Sequence, residues 1–166
     1  AELVPFLFAT KYPDKGQRHS VLTIVAGVGF EDFFAGLKTV YGQWIELDPG
    51  LVEIIQMNNR SADLLRLKDF TVQSAPVEHN PESIAYRVTG PGGHSVVYSG
   101  DTDTSENLIA LSKDADLLIC ESALPDAYRM KGHLTPSLAG DIATRAGVKK
   151  LVLTHFYPEC DQTDIA

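Results

Sequence analysis

Cysteine is scarce in this sequence of 166 residues, and the scarcity limits the class of protein. The two cysteines, Cys120 and Cys160, are too few for a disulfide scaffold. They also lack the CxxC spacing of redox and zinc motifs. We therefore expect a protein of a reducing compartment, the cytoplasm.

Basic residues and long apolar runs are also scarce. The 14 Lys and Arg residues are outnumbered by 22 Asp and Glu, which gives a formal net charge of −8. This balance argues against a broad basic surface for non-specific binding of nucleic acid or membrane, but not against a local basic groove. No apolar run approaches the roughly 20 residues that span a bilayer, so we expect no membrane association.

Hydrophobic periodicity predicts an α/β fold. The first half is rich in short β-branched runs separated by Gly and Pro turns, and from Thr104 onward helices and strands alternate. This order favours a sheet flanked by helices. The predicted helices are Leu3–Ala9, Phe30–Tyr41, Ser105–Ser112 and Thr135–Ala146, and the predicted strands are Val21–Ala26, Leu51–Met57, Phe70–Val77, Ile84–Val88, Ser95–Tyr98, Leu117–Cys120 and Lys150–Thr154.

The helix at Thr135 has the clearest end signals. Thr135 is predicted as the N-cap, Pro136 as the first helical residue and Gly147 as the C-terminal stop.

Four polar side chains follow predicted strand ends or lie beside them. They are His79 in PVEHNPES, Asp101 in VVYSGDTDT, His133 in KGHLTPS and His155 in LVLTHFYP. Loops at strand ends are where α/β folds gather reactive side chains. Imidazoles together with a carboxylate suit Zn²⁺, with Mn²⁺ or Fe²⁺ as alternatives.

Each of these residues also has a purely structural interpretation. A single histidine at a strand end commonly packs or caps, and Asp101 could close an Asx-turn. As an ordered set they favour a functional site. The other two histidines, His19 and His94, are interpreted as surface residues.

The stretch from Pro76 to Pro158 resembles the later half of the metallo-β-lactamase superfamily, in its ribonuclease Z-like and phosphodiesterase-like branch. The resemblance lies in PVEHNPESIAYRV, VVYSGDTDT, LLICES and GHLTPSLAGDIATRAGVKKLVLTHFYP. It implies a four-layer αββα sandwich.

The resemblance also implies roles for individual residues. His79 would be a ligand of the first metal, Asp101 the carboxylate that bridges both metals, and His155 a ligand of the second. His133 matches a histidine that contacts substrate phosphate or assists proton transfer, and Glu121 in ICES matches an acidic partner of that histidine.

One part of the family pattern is absent. The HxHxDH cluster, which supplies four further ligands, does not occur in this sequence. We therefore expect residues 1–166 to form a single partial domain that lacks the strands bearing that cluster and a short C-terminal piece. Its exposed apolar surface would then pair with a second copy, as a homodimer, or with a cleaved partner chain.

In the complete protein, the resemblance implies a hydrolase with two divalent metals that cleaves phosphodiester bonds through a metal-bridging hydroxide. The substrate would be a small phosphodiester or an RNA 3′ end. Ribonuclease Z commonly carries an arm for transfer RNA, but here only twenty-one residues separate His79 from Asp101. This favours the smaller substrate.

Two alternatives stay open. The first is an inactive fragment or binding scaffold without metal, because three ligands are fewer than the roughly six that two ions need. Less favoured is a haloacid-dehalogenase-type phosphatase, in which Asp101 would be the nucleophile and Asp103 the acid/base.

Overall fold

The computed structural model describes residues 3–11 and 19–163. They fall into two compact units, one up to Met57 and one from Asn58 onward. The chain ends, Ala1 and Ala166, lie outside the described residues. Nowhere in the described ranges is there a helix long and apolar enough to cross a bilayer.

The first unit is built around a pair of parallel strands. Its elements are α1 (Leu3–Lys11), β1 (Leu22–Gly27), α2 (Phe30–Tyr41) and β2 (Val52–Met57), with a 3-10 turn at Gly42–Trp44. β1 pairs with β2 in parallel. Leu7, Phe34 and Ile45 form its buried core, and the apolar spacing of α2 directs Phe34 into that core.

The second unit is a mixed sheet of six strands, in which the strand order follows the chain. Pairing is antiparallel from β3 to β6 and parallel from β6 to β8. Its elements are β3 (Asp63–Arg66), β4 (Thr71–Pro76), β5 (Ile84–Thr89), β6 (Ser95–Tyr98), α3 (Glu106–Ser112), β7 (Leu117–Glu121), α4 (Pro136–Ala146) and β8 (Leu151–Thr154).

The core of the second unit lies between the sheet and its helices. α4 contributes Ala139, Ile142 and Ala143, a spacing that brings one helix face to the core, and Leu118 of β7 packs in the same cluster. The predicted α/β class is therefore confirmed.

The ends of α4 show one difference from prediction. Thr135 occupies the N-cap position, but its side chain accepts no backbone N–H of the helix. The carboxylate of Asp126 accepts the N–H and hydroxyl of Ser137 instead. Gly147 ends the helix as predicted, in a left-handed conformation with φ of 67°.

Strand β3 was not predicted. It has four residues, begins with Asp63 and ends with Arg66, and pairs on one side with β4. A strand this short, with charged ends, carries too little alternation for a period of two to be recognised.

Candidate metal and proton-transfer site

Four strands of the second unit end at one edge of the sheet. β4 and β6 each run antiparallel to β5, so they point the same way, and β7 and β8 run parallel to β6. The segments after these strands carry His79, Asp101 and His155, and Glu121 is the last residue of β7. Ligand sites of open α/β sheets gather at such carboxyl ends.

Asp101 and His155 face each other across this edge. His155 Nε2 lies 3.6 Å from Asp101 Oδ1. His155 has a φ of 65°, which is uncommon for a residue other than glycine and is frequent at functional sites. Gly100 turns the chain ahead of Asp101 with a φ of 61°. Tight turns after β6 and β8 therefore place these two side chains next to each other at the edge of the sheet.

His79 is held by a backbone carbonyl. Its Nδ1 lies 2.9 Å from the oxygen of Gly132. A carbonyl can only accept a hydrogen bond, so Nδ1 carries the proton and Nε2 of the neutral ring has a free lone pair. Metal-binding histidines are commonly oriented in this way.

His133 lies between the other two imidazoles. Its ring centroid is 5.0 Å from that of His79, edge to face, and 5.6 Å from that of His155, in a stacked arrangement. The structure therefore brings the three predicted histidines into one cluster.

The acidic partner of His133 is Glu121. His133 Nδ1 donates to Glu121 Oε1 at 2.9 Å, and both side chains are largely shielded from solvent, with 12% and 2% exposed. The contact implied by the family resemblance is thus present. Their role in catalysis stays a prediction.

The Glu121 carboxylate also accepts three backbone N–H groups. Thr102 donates to Oε1 at 2.8 Å, and Ala123 and Leu134 donate to Oε2 at 3.2 Å each. A buried carboxylate with four donors is well compensated for its loss of water. It also connects the loops that follow β6 and β7 to the segment that carries His133.

Sequence reasoning missed Tyr157. Its ring centroid is 5.4 Å from that of His155 and 6.1 Å from that of His133, and its N–H donates to Ala123 O at 2.9 Å. The sequence signal that could have pointed to Tyr157 was its position two residues after His155 and directly before a proline. A cavity of about 680 Å³ lies beside the cluster, lined by residues that include His79, Asp103 and Lys131.

Asp103 does not have the free carboxylate that a phosphatase acid/base needs. It accepts hydrogen bonds from the N–H of Gly132 and Thr104 and from Arg129. Partial burial raises the pKa of this carboxyl, but the two backbone N–H groups and the Arg129 guanidinium outweigh burial and lower the pKa overall. These contacts count against the phosphatase alternative.

The donors at this edge suit divalent metals in kind. Two ligands of one tetrahedral Zn²⁺ are about 3.4 Å apart, close to the separation of His155 and Asp101. Among the side chains of residues 3–11 and 19–163, however, no group of three or more His, Cys, Asp or Glu is arranged to hold an ion. The described residues therefore fit part of a metal site.

A sequence model of the beta-lactamase superfamily domain matches residues 35–156, a range that contains His79, Asp101, Glu121, His133 and His155 but not Tyr157. The chain belongs to the metallo-β-lactamase superfamily.

The relatives of this chain include an uncharacterized protein and a protein named ribonuclease Z. The uncharacterized protein Rv1339 of Mycobacterium tuberculosis is 35% identical over 97 residues, 57% of this chain and 36% of that protein. Ribonuclease Z 1 of Schizosaccharomyces pombe is 38% identical over 101 residues, 57% of this chain and 12% of that protein.

A solved structure supports the same fold. The metallo-β-lactamase fold protein YhfI of Bacillus subtilis superposes with a TM-score of 0.70 at 26% identity, over 93% of this chain and 58% of that chain. The predicted metallo-β-lactamase-like fold is thus confirmed. This chain spans well under two thirds of the length of each of these relatives.

Proposed function

We propose that this chain carries part of the active site of a metal-dependent hydrolase that cleaves phosphodiester bonds. The observation that carries the proposal is the buried Glu121–His133 pair, placed among His79, His155 and Asp101 on one sheet edge. Superfamily membership and relatives named ribonuclease Z support it.

His79, Asp101 and His155 would hold divalent ions, Zn²⁺ or alternatively Mn²⁺ or Fe²⁺. Two ions need about six protein ligands, so further ligands must come from outside the described residues. Such ions supply Lewis-acid stabilisation of negative charge and activate water at neutral pH.

His133 is proposed to move the proton. Glu121 accepts a hydrogen bond from the Nδ1–H group of His133. This bond holds the ring in one orientation and leaves Nε2 to exchange a proton. As an imidazolium, His133 donates the Nε2 proton to the departing oxygen of the phosphodiester, and the negative charge of Glu121 stabilises the ring while it is cationic. The Tyr157 ring lies beside that of His133, with 6.1 Å between the ring centroids.

The substrate proposed here is a small phosphodiester, and an RNA 3′ end is the alternative. The connection between β5 and β6 is a tight turn, in which Gly93 N–H donates to Gly90 O and Gly90 N–H donates to His94 O. That turn leaves no room for a substrate-binding arm between His79 and Asp101.

A specific observation also favours a second function, that of a scaffold without its own metal. The incomplete ligand set of the described residues is what such a scaffold would show. Metal analysis of the protein after exposure to Zn²⁺ distinguishes the two functions.

The experiment measures hydrolysis of bis(p-nitrophenyl) phosphate with added Zn²⁺ or Mn²⁺. His133→Ala and Glu121→Gln should each lower kcat by about 10²- to 10⁴-fold, the usual contribution of a proton-transfer group. His94→Ala is the matched control, because the side chain of His94 is 86% exposed and lies outside the cluster. Equal activity of His133→Ala and His94→Ala would contradict the proposed role, and activity on RNA 3′ ends alone would contradict the proposed substrate size.

Assembly and location stay predictions. We propose pairing with a second copy of the chain, which the exposed Phe33 and Val40 on α2 support. A cytoplasmic location is likewise proposed, from cysteine usage.

A further inference from the structure

The segment that leads to His133 also controls His79. Gly132 immediately precedes His133, and its carbonyl oxygen is the acceptor of His79 Nδ1 at 2.9 Å. Whatever fixes this peptide therefore fixes the proton on the His79 ring.

Asp103 holds the same residue through its N–H, which belongs to the preceding Lys131–Gly132 peptide. Asp103 Oδ2 accepts the N–H of Gly132 at 3.0 Å, and Oδ1 accepts Nη2 of Arg129 at 3.2 Å. Since Arg129 and Gly132 bracket the segment, one carboxylate fixes both of its ends. The Asp103 side chain is mostly buried, with 18% exposed, which limits competition from water.

The backbone of Asp103 also bonds to the segment that carries His79, so the contacts form a closed circuit. Its N–H donates to the carbonyl of Glu78 at 2.7 Å, one residue before His79. Asp103 is thus bonded both to the segment that carries His79 and to Gly132, the residue whose carbonyl orients the His79 side chain. Attachment at the backbone and through the ring nitrogen defines the position of the imidazole better than either alone.

Gly132 is the residue type that this arrangement requires. It has a φ of 92°, a conformation that favours glycine, and an added Cβ would lie 3.3 Å from His79 Nδ1. The close approach of the peptide to the imidazole therefore depends on the missing side chain.

We propose that Asp103 is a positioning residue, which acts through the backbone of Gly132 to keep the His79 imidazole protonated on Nδ1 and its Nε2 available to a metal. The relevance to metal binding rests on the proposed function. The hydrogen-bond arrangement itself does not, and it can be measured in the protein without metal. Supporting groups of metal-binding histidines typically alter metal affinity or activity by about 10- to 100-fold when removed.

The test compares Asp103→Ala with Asp126→Ala. Asp126 also accepts a backbone N–H, from Ser137, and among the described residues its hydrogen bonds with Ser137 do not reach His79 or Gly132. Side-chain ¹⁵N NMR of the metal-free protein, at a pH at which histidine is neutral, reports which nitrogen of each ring is protonated. We expect a single Nδ1–H form for His79 in the wild type and in Asp126→Ala, and a mixture of the two tautomers in Asp103→Ala.

A second variant keeps the test valid if Asp103→Ala does not fold. Asp103→Asn retains one oxygen for the Gly132 N–H and loses the attraction to Arg129, so it should show an intermediate tautomer ratio. Zn²⁺ affinity should fall by about 10- to 100-fold in Asp103→Ala, be partly rescued in Asp103→Asn and stay unchanged in Asp126→Ala.

An unchanged His79 tautomer in both Asp103 variants would overturn the proposal. If the tautomer responds but the protein hydrolyses no phosphodiester, the positioning role stands and the proposed function fails. If the protein hydrolyses a phosphodiester but the His79 tautomer does not respond, the proposed function stands and the positioning role fails.

Discussion

The two units use their sheets for different purposes. In the first unit, two parallel strands and α2 enclose an apolar core of Leu7, Phe34 and Ile45. In the second, four strands that run the same way end at one edge, where a buried carboxylate and three imidazoles collect.

The difference shows what a reactive site requires beyond a stable sheet. Apolar burial is enough to form the first unit's core. The second unit adds a polar network at its edge, and each buried group there needs a partner, because an unpaired buried charge is costly. The chemistry therefore depends on a few hydrogen bonds, and the stability of both units depends on many apolar contacts.

The largest expected effect follows from removing Glu121. Glu121→Ala leaves His133 and three backbone N–H groups without their acceptor, so the free energy of unfolding should fall by about 3–5 kcal/mol. Urea denaturation measures it. Glu106→Ala, which loses only a surface pair with Arg145, is the control and should change stability by less than about 1 kcal/mol. Similar losses in the two variants would mean that the buried network is not a structural centre.

A substitution in the first unit sharpens the comparison. Ile45 is 1% exposed, and Ile45→Ala should lower the free energy of unfolding by about 2–5 kcal/mol through lost burial and cavity formation. The side-chain ¹⁵N signals of His79 and His133 should stay unchanged, because the partners of those rings, Gly132 and Glu121, belong to the second unit. Altered tautomers in Ile45→Ala would show that the site depends on the first unit.

Replacing Gly147 at the end of α4 and Gly140 inside it with alanine should change the stability of the protein in opposite directions. Gly147→Ala introduces a side chain at a φ of 67°, where Cβ would lie 3.2 Å from Asp114 Oδ1, and should destabilise by about 1–2 kcal/mol. Gly140→Ala, inside the helix with open space around it, should stabilise by about 0.5–1 kcal/mol. Thermal unfolding measures both, and a shared sign would contradict the assigned end of the helix.

The smallest expected effect is a loss of folding stability at acidic pH, through Asp116. Asp116 accepts from Lys149 at 2.7 Å and from the Ser95 N–H at 2.8 Å, and these bonds, the Lys149 bond foremost, hold its pKa well below the usual value of 3.8. His94 Nδ1 also faces it, at 3.6 Å. A lowered carboxyl pKa stabilises the fold above pH 3.8, and that contribution is lost as the pH falls below 3.8 towards the folded-state pKa.

Asp116→Asn should therefore unfold with a weaker pH dependence below pH 3.8 than the wild type, as acid titration followed by circular dichroism would show. Salt should reduce the difference, because the side chain of Lys149 is 70% exposed. An identical acid profile for both proteins would contradict the assigned ion pair.

The sequence predicted most elements of the fold, for physical reasons. α4 has Pro136 at its start and Gly147 at its end, and β6 is a β-branched run after a Gly-rich turn. β3 was missed because pairing with β4, rather than its own pattern, makes it a strand. The cap at Asp126 was missed for a similar reason, since it comes from a residue ten positions before Pro136.

Much less of the candidate site could be predicted from the residues alone. Strand ends pointed to His79, Asp101, His133 and His155, but Glu121 and its pairing with His133 came from the family resemblance. Tyr157 and the bonds of Asp103 depend on how separate loops approach one another, which spacing along the chain does not encode.

The central claim is that His79, Asp101 and His155 belong to one metal-binding edge. Zn²⁺ titration of the protein, followed by the side-chain ¹⁵N signals of its five histidines, tests it most directly. We predict that His79 and His155 respond together, that Asp101→Asn weakens both responses, and that His19 and His94 do not respond. Separate responses of His79 and His155, or a response confined to His19 and His94, would contradict the claim.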